Sequence, residues 1–329
     1  MKIIAMANGG FALPTLKLLR ESSHELCAVF AMPLRANPEK GKKAGIPPIR
    51  QALQDFLANV PCYEPENVNA PDVVELIRSL NADLIFICDY GRILSSEVIC
   101  ATKYGGLNLH GSLLPKYRGA APINRAIQAG ERELGVSVIF IEPKVDSGPI
   151  VARDSYIPTL NDTAIEIEEH LAELGAPLVL KAIDQIANNT IQSLPQSDQA
   201  ATKAPKLKKE EGRIDWNLSS SAIIDLYRAF QPWPRVFADW SRAESSHSPV
   251  RLILGPFCDV DAEDQRLEMT SEQQSMSPGQ VIAVNSQTFW IRTGDGAVRS
   301  LAVQAAGKKN METSLFLRGF QICVGDKLS

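Results

Sequence analysis

Histidine is scarce in this sequence, basic charge is not in excess, and long apolar runs are missing. The four histidines, His24, His110, His170 and His247, form no cluster of metal-ligand type with one another or with the cysteines, so no metal is expected. The six cysteines, at positions 27, 62, 88, 100, 258 and 323, contain no C-x-x-C pair. That spacing argues against a zinc site or a disulfide framework, and their mostly apolar neighbours suggest reduced core thiols in a cytoplasmic protein. No stretch approaches the ~18 apolar residues of a membrane span. The segment Met1-Lys-Ile-Ile-Ala-Met-Ala7 enters a strand-like pattern at once and lacks a small-residue cleavage site, so a signal peptide is not expected. Gly9-Gly10 follows that strand, but the pattern G-x-G-x-x-G is absent, which excludes a dinucleotide-binding turn. Lys and Arg number 34 against 38 Asp and Glu, a net charge of −4, so a chain-wide basic footprint for nucleic acid is lacking too. Any RNA contact has to be local, and the charge alone suits a small-molecule enzyme equally well.

What is present is an ordinary globular composition, 45% hydrophobic and 22% charged, in a chain long enough for two domains. In the first half, short apolar runs alternate with helical stripes. Lys2-Ile-Ile-Ala-Met-Ala7, Leu26-Cys-Ala-Val-Phe-Ala31, Leu84-Ile-Phe-Ile-Cys88, Gly106-Leu-Asn-Leu-His110 and Val136-Ser-Val-Ile-Phe-Ile141 read as strands. Residues 11–21, 71–80, 120–130 and 162–187 read as helices. Strands that are apolar throughout and separated by helices imply an α/β domain whose open, mostly parallel, Rossmann-like sheet is covered on both faces. Residues 189–209 turn polar, with Pro195, Pro205 and a lysine cluster at 203, 206, 208 and 209, and read as a linker between domains 1–188 and 210–329. Beyond it come a helix over 219–230 and short strands near 251–254, 279–284, 288–292 and 298–303, with the hairpin signal Gly294-Asp-Gly296. Short strands punctuated by turns suggest a small barrel. Residues 259–277 form a polar, acidic excursion without periodicity.

The most informative run is Gly105-Gly-Leu-Asn-Leu-His-Gly-Ser-Leu-Leu-Pro-Lys-Tyr-Arg-Gly-Ala-Ala-Pro-Ile123. Asn108 and His110 lie two apart on a strand, so both side chains leave one face, just before the chain breaks into a Gly/Pro-bounded loop. Strand ends of this kind are where an open α/β sheet puts its chemistry. An amide donates a neutral N–H to an oxyanion, and an imidazole exchanges protons near neutral pH. A carboxylate beside the imidazole favours its charged form, and Asp146, which precedes a Ser-Gly turn, is the candidate to arrive at the same sheet edge.

Asn108-x-His110, the Ser112-Leu-Leu-Pro-Lys-Tyr-Arg-Gly119 loop and Val145-Asp-Ser-Gly148 resemble the signature of the folate-dependent formyltransferases. The resemblance extends to Gly212-Arg-Ile-Asp-Trp216, Arg228-Ala-Phe-Gln-Pro-Trp-Pro234 and Gly307-Lys-Lys-Asn-Met311, and so covers nearly the whole chain. It departs from the family at Asn8-Gly-Gly-Phe11 and at Lys40, where an arginine is usual. What it implies is a formyltransferase-fold catalytic domain, Asn108, His110 and Asp146 as catalytic residues, and a C-terminal OB-like domain that binds tRNA. It further implies 10-formyltetrahydrofolate as donor, with its pterin walled by Cys88, Asp89, Tyr90 and Gly91 and by Ser112, Leu113, Leu114 and Pro115. Leu113, Leu114 and Tyr90 would enclose the rings while backbone groups read the amide edge.

The implied acceptor is the α-amino group of methionyl initiator tRNA, approached by the basic loop that carries Arg35, Lys40, Lys42 and Lys43. A monomer acting in the cytoplasm is expected. An amino-sugar nucleotide would be served equally well by Asn-x-His and its loop; the basic loop and Lys308-Lys309 favour RNA. A non-catalytic RNA-binding module is disfavoured, because binding alone requires none of Asn108, His110 and Asp146.

Overall fold

The computed structural model describes residues 1–33, 47–243, 248–259 and 268–329. They form two compact units: Met1–Ile123, Arg132–Pro158 and Glu166–Lys206 in the first, and Asn124–Glu131, Thr159–Ile165 and Leu207–Ser329 in the second.

The N-terminal half runs β1 (Lys2–Ala7), α1 (Leu13–Glu21), β2 (Glu25–Phe30), α2 (Pro48–Gln54), β3 (Cys62–Tyr63), α3 (Pro71–Ser79), β4 (Leu84–Cys88), α4 (Ser96–Ile99), β5 (Gly106–His110), α5 (Pro122–Gln128), β6 (Leu134–Phe140), β7 (Ile150–Tyr156) and α6 (Ala164–Ala187). Helix α3 illustrates the local logic: Pro71 opens it, Asp72 sits in the first turn and Arg78 in the last, each complementing the helix dipole. The strands make one seven-stranded sheet in the order β3-β2-β1-β4-β5-β6-β7. Ile4, Met6, Ala28, Phe30 and Ile85 on one face pack with Val74 and Ile77 of α3 and Val98 of α4. Burial of such side chains stabilises by about 1.5–3 kcal/mol each. On the other face α6 comes against β5, where Leu109 fills the space beside Gly175.

Strands β1 to β5 pair in parallel, whereas β6 pairs antiparallel with both β5 and β7. The reversal has a direct consequence for Asp146. His110, at the end of β5, pairs with Ser137, and β6 ends at Phe140 opposite Leu107, near the start of β5. The loop after β6 therefore leaves from the opposite edge of the sheet and not, as the sequence pattern suggested, from the edge where β5 ends. Apolar strands look alike in either direction, so burial patterning does not reveal this. Helices α2 and α4 and strands β3 and β7 have no counterpart in the sequence reading. β3 has only two residues, and β7 carries the exposed Arg153 and Asp154 on an edge.

Residues 189–206 are not a free connection. Leu194 bridges Ile150, Lys203 bridges Arg118, and Ala204 is fully buried, all within the first unit. The cysteines also depart from expectation: Cys88 is buried, but Cys62, Cys100 and Cys323 are exposed and no two are joined.

The second unit contains α7 (Ser220–Ala229), β8 (Phe237–Ser241), β9 (Val250–Leu254), β10 (Phe257–Asp259), α8 (Ser271–Ser275), β11 (Val281–Val284), β12 (Phe289–Arg292), β13 (Ala297–Ser300), β14 (Ala302–Ala305), β15 (Met311–Glu312), α9 (Thr313–Gly319) and β16 (Lys327–Leu328). Two antiparallel sheets, β10-β13-β12-β11 and β15-β14-β9-β8-β16, make it up. At one corner they are joined by backbone bonds between residues 279–281 and 326–328, and at the other the chain passes from sheet to sheet at β9–β10 and β13–β14. The result is a small β-barrel of the OB-like kind.

Arg228 anchors α7 from within. Its guanidinium pairs with Asp225 at 2.7 Å and donates to the carbonyls of Asp162 and Thr159, with both charged side chains almost completely buried. Breaking a buried ion pair by removing one partner costs about 3–5 kcal/mol. Arg228→Met is therefore expected to lower unfolding free energy by that amount in urea titration, with an unchanged m-value.

Candidate functional site

Strand β5 presents Asn108 and His110 on the face opposite Leu109, as the two-residue period requires. The 141–149 hairpin loop, leaving from the far edge, folds back so that Asp146 reaches both. Asp146 takes a left-handed backbone (φ 52°), a conformation Asp tolerates better than most residues. The return is tight: a Cβ on Gly148 would lie 1.8 Å from the carbonyl oxygen of Phe140, so no larger residue fits without movement.

The Asp146 carboxylate is satisfied from two directions. Oδ1 accepts from Asn108 Nδ2 at 3.3 Å, and Oδ2 accepts from the Gly119 backbone N–H at 2.9 Å. Oδ2 also faces His110 Nδ1 at 3.7 Å, beyond direct hydrogen bonding. His110 is 6% exposed and its Nε2 lies 2.9 Å from the Tyr117 carbonyl oxygen. A carbonyl only accepts, so Nε2 carries a proton and Nδ1 is the nitrogen left to exchange one. Asn108 uses one amide N–H on Asp146; the other has no partner among the described residues and remains available to an incoming oxygen. One face of β5 thus offers a neutral donor, a proton-exchanging nitrogen and a fixed carboxylate within a few ångströms.

The 111–119 loop that completes the site is braced by a serine pair. Buried Ser137 on β6 donates to the Ser112 carbonyl at 2.7 Å and accepts from Leu114 N–H at 3.0 Å, while Ser112 Oγ donates to the Lys116 carbonyl. At the loop's end Gly119 (φ 131°) passes so close to Ala204 that a Cβ would lie 2.5 Å from its carbonyl oxygen.

The formyl transferase domain pattern matches residues 1–183, and the formyl transferase C-terminal domain pattern matches residues 206–321. The chain belongs to the formyltransferase family. It is 34% identical to the methionyl-tRNA formyltransferase of Rhodopirellula baltica, covering 100% of this chain and 96% of that one. Its fold matches an N-formyltransferase from Helicobacter canadensis, solved with folinic acid and dTDP-3-aminofucose, at a TM-score of 0.60 and 18% identity over 91% of this chain and 97% of that one. HypX from Aquifex aeolicus, solved with tetrahydrofolic acid, matches with a TM-score of 0.60 and 18% identity over 98% of this chain and 47% of HypX, so the chain spans about half the length of HypX.

In this formyltransferase the segment Cys88, Asp89, Tyr90 and Gly91 follows β4, whose Ile87 pairs with Asn108, so it lies beside the site. Cys88 and Tyr90 are buried, and burial pushes the Cys88 thiol up and the Tyr90 hydroxyl up to about 12. Tyr90 packs in the cluster with Met6 and Phe30, and Leu114 is enclosed with Ile139 and Ile150. Neither side chain offers a face to a ligand. Leu113 and Pro115 remain half-buried, and Asp89 is exposed although desolvation by the surrounding protein raises its carboxyl.

Three contributors have no sequence signal. Asn8 accepts from Met32 N–H and donates to the Tyr90 carbonyl at 2.7 Å, tying the ends of β1, β2 and β4 together. Ser137 sits unannounced in an apolar strand, and Gln196 comes from the stretch read as a linker. Arg35, Lys40, Lys42 and Lys43 lie outside the described residues. Among the described residues no group of three or more His, Cys, Asp or Glu could hold a metal ion, and no helix is long and apolar enough to cross a membrane.

Ser137→Ala is expected to cost about 0.5–1.5 kcal/mol per hydrogen bond lost, because it removes two buried bonds while the Leu114 N–H keeps the Ser112 carbonyl at 3.1 Å. Chemical denaturation of the two proteins measures it directly.

Proposed function

We propose that the chain transfers the formyl group of 10-formyltetrahydrofolate to the α-amino group of methionyl initiator tRNA, the modification that precedes translation initiation, and acts as a cytoplasmic monomer. The observation that carries the reading is Asn108 and His110 on β5 with Asp146 of the 141–149 loop brought against them, in a chain 34% identical over its full length to a methionyl-tRNA formyltransferase.

The chemistry follows from the atoms available. The neutral amine attacks the formyl carbon, a C–N bond forms, and the carbonyl oxygen becomes an oxyanion that the uncommitted N–H of Asn108 meets. The bond from the formyl carbon to N10 of the folate then breaks, and one proton passes from the attacking nitrogen to N10. His110 Nδ1 relays it, and Asp146 balances the imidazolium while it exists. One oxyanion donor is worth about 10²–10³ in rate. The donor's pterin is held by backbone groups of residues 88–91 and 112–115, with Leu113 against its rings. Arg35, Lys40, Lys42 and Lys43 contact acceptor phosphates, together with the C-terminal barrel. Since the whole chain carries a net charge of −4, a few such residues supply most of the affinity.

Asn108→Ala and His110→Ala are each expected to slow single-turnover formyl transfer by roughly 10²-fold or more with unchanged far-ultraviolet circular dichroism, and Asp146→Asn to slow it comparably. A rate near wild type in any of the three removes that residue from the mechanism.

Acceptor choice is tested with charged initiator tRNA and an amino-sugar nucleotide side by side; only the tRNA is expected to be formylated. Replacing Lys40, Lys42 and Lys43 together by Ala should reduce the slope of log K against log[salt] by about two to three, at ~0.7–0.9 per phosphate contact. Turnover of a minimal amine acceptor should barely change. An unaltered slope removes the basic loop from the RNA interface.

A further inference from the structure

The Gln196 side chain touches both loops of the site. Its amide nitrogen donates to the Asp146 carbonyl at 2.9 Å and to the Gly148 carbonyl at 2.7 Å. Its amide oxygen accepts from Arg118 Nε at 3.0 Å and Nη2 at 2.9 Å. One carboxamide thus uses both N–H groups on the 146–148 turn and its oxygen on the guanidinium of the neighbouring loop.

The chain around Gln196 is laid down as a strap. Leu194 pairs with Ile150 through two backbone bonds of 2.8 Å. Arg118 N–H donates to the Thr202 carbonyl at 2.8 Å, Ala204 N–H returns a bond to the Arg118 carbonyl at 2.7 Å, and Thr202 Oγ1 accepts from Tyr117 N–H. Asp198 bridges Arg118 and Lys144, each at 2.8 Å, and these two cations hold its carboxyl down to about 2. Arg118 and Tyr117 belong to the loop that supplies Gly119 N–H to Asp146 and the Tyr117 carbonyl to His110. Lys144 belongs to the loop that carries Asp146 itself. The strap therefore clips together the two loops that orient the carboxylate and the imidazole.

We propose that Gln196 is a positioning residue for formyl transfer: by tying the backbone of the Asp146 turn to Arg118, it sets the Asp146 carboxylate against Asn108 and His110. The inference rests on the role given to Asp146 above. It has a physical basis in the reversal of β6. The Asp146 loop arrives from the far edge of the sheet on a left-handed residue, so no strand holds it in place, and the carboxylate's distance to His110 depends on what pins the turn. Displacing a reacting group by about 1 Å costs on the order of 10²-fold in rate.

The experiment uses the full chain and measures single-turnover formyl transfer, folate affinity and melting temperature for Gln196→Met, Gln196→Glu, Asp146→Asn and the double variant Gln196→Met/Asp146→Asn. Met keeps the length and loses every hydrogen bond. Glu keeps the contact to Arg118 and loses both donors to the turn. Each is expected to slow the chemical step about tenfold or more while folate affinity changes less than about twofold. In the Asp146→Asn background the same Gln196→Met change is expected to do almost nothing, because residues acting through one group are not additive.

A tenfold loss that persists in that background overturns the inference, as does a wild-type rate in Gln196→Met or Gln196→Glu. If Gln196→Met does not fold, the comparison is carried by Gln196→Glu with and without Asp146→Asn. A wild-type rate in Asp146→Asn overturns the reading of Asp146, and the inference with it. A slow Asp146→Asn beside a fast Gln196→Met overturns the inference alone.

Discussion

The Asp146 carboxylate is the group around which the first unit is arranged. It accepts from the amide of a strand residue, Asn108, and from the backbone N–H of a loop residue, Gly119, and it faces the one ring nitrogen of His110 not already donating to a carbonyl. Asn108 and His110 sit on β5, Gly119 on the loop that follows it, and Asp146 itself on the loop after β6. A half-buried carboxylate is stable only where such donors are supplied, since unpaired charge is costly away from water. Satisfying it forces β5, the 111–119 loop and the 141–149 loop into a single relative placement.

That placement explains features that look incidental in isolation. Ser137 spends its hydroxyl on two backbone groups of the 111–119 loop, although it lies in an otherwise apolar strand. Gly148 and Gly119 each occupy a spot where a Cβ would collide with a carbonyl oxygen. The polar 194–204 stretch docks by backbone pairing at both ends and fills the space over the two loops with Gln196 and Asp198. Asn8 performs a parallel service on the neighbouring strands, fixing the 89–90 turn to the ends of β1 and β2. Preorganisation of this kind, in side chains that never meet the reacting atoms, is what keeps a site within the fractions of an ångström that catalysis needs.

Much of this was legible beforehand, for identifiable reasons. Five of the seven strands of the first sheet, helices α1, α3, α5 and α6, and the barrel strands β9, β11, β12 and β13 follow from periodicity and turn residues, signals local enough to survive without tertiary context. Strands β8, β10, β15 and β16 have no counterpart in that pattern, and 298–303 divides into β13 and β14. Asn108 and His110 share a face because a strand alternates, and no neighbour can alter that. The family signature is equally local, a string of residues in one stretch of chain. What escaped were elements with weak or contradictory patterns: the two-residue β3, the charged edge strand β7, and the exposure of Cys62, Cys100 and Cys323, which apolar neighbours in sequence do not govern.

By itself, then, the sequence determined that Asn108 and His110 stand on one face of a strand and that the chain divides into an α/β half and a β half, because each depends on short-range geometry. Only the tertiary structure decided the direction of β6, since an apolar strand buries equally well either way up. It alone decided that Asp146 comes back from the far edge, that Leu114 and Tyr90 turn inward, and that a polar stretch without period becomes the strap against the site's two loops. Each of these is settled by hydrogen-bond partners and packing from segments tens of residues distant, and no reading of neighbouring residues contains them.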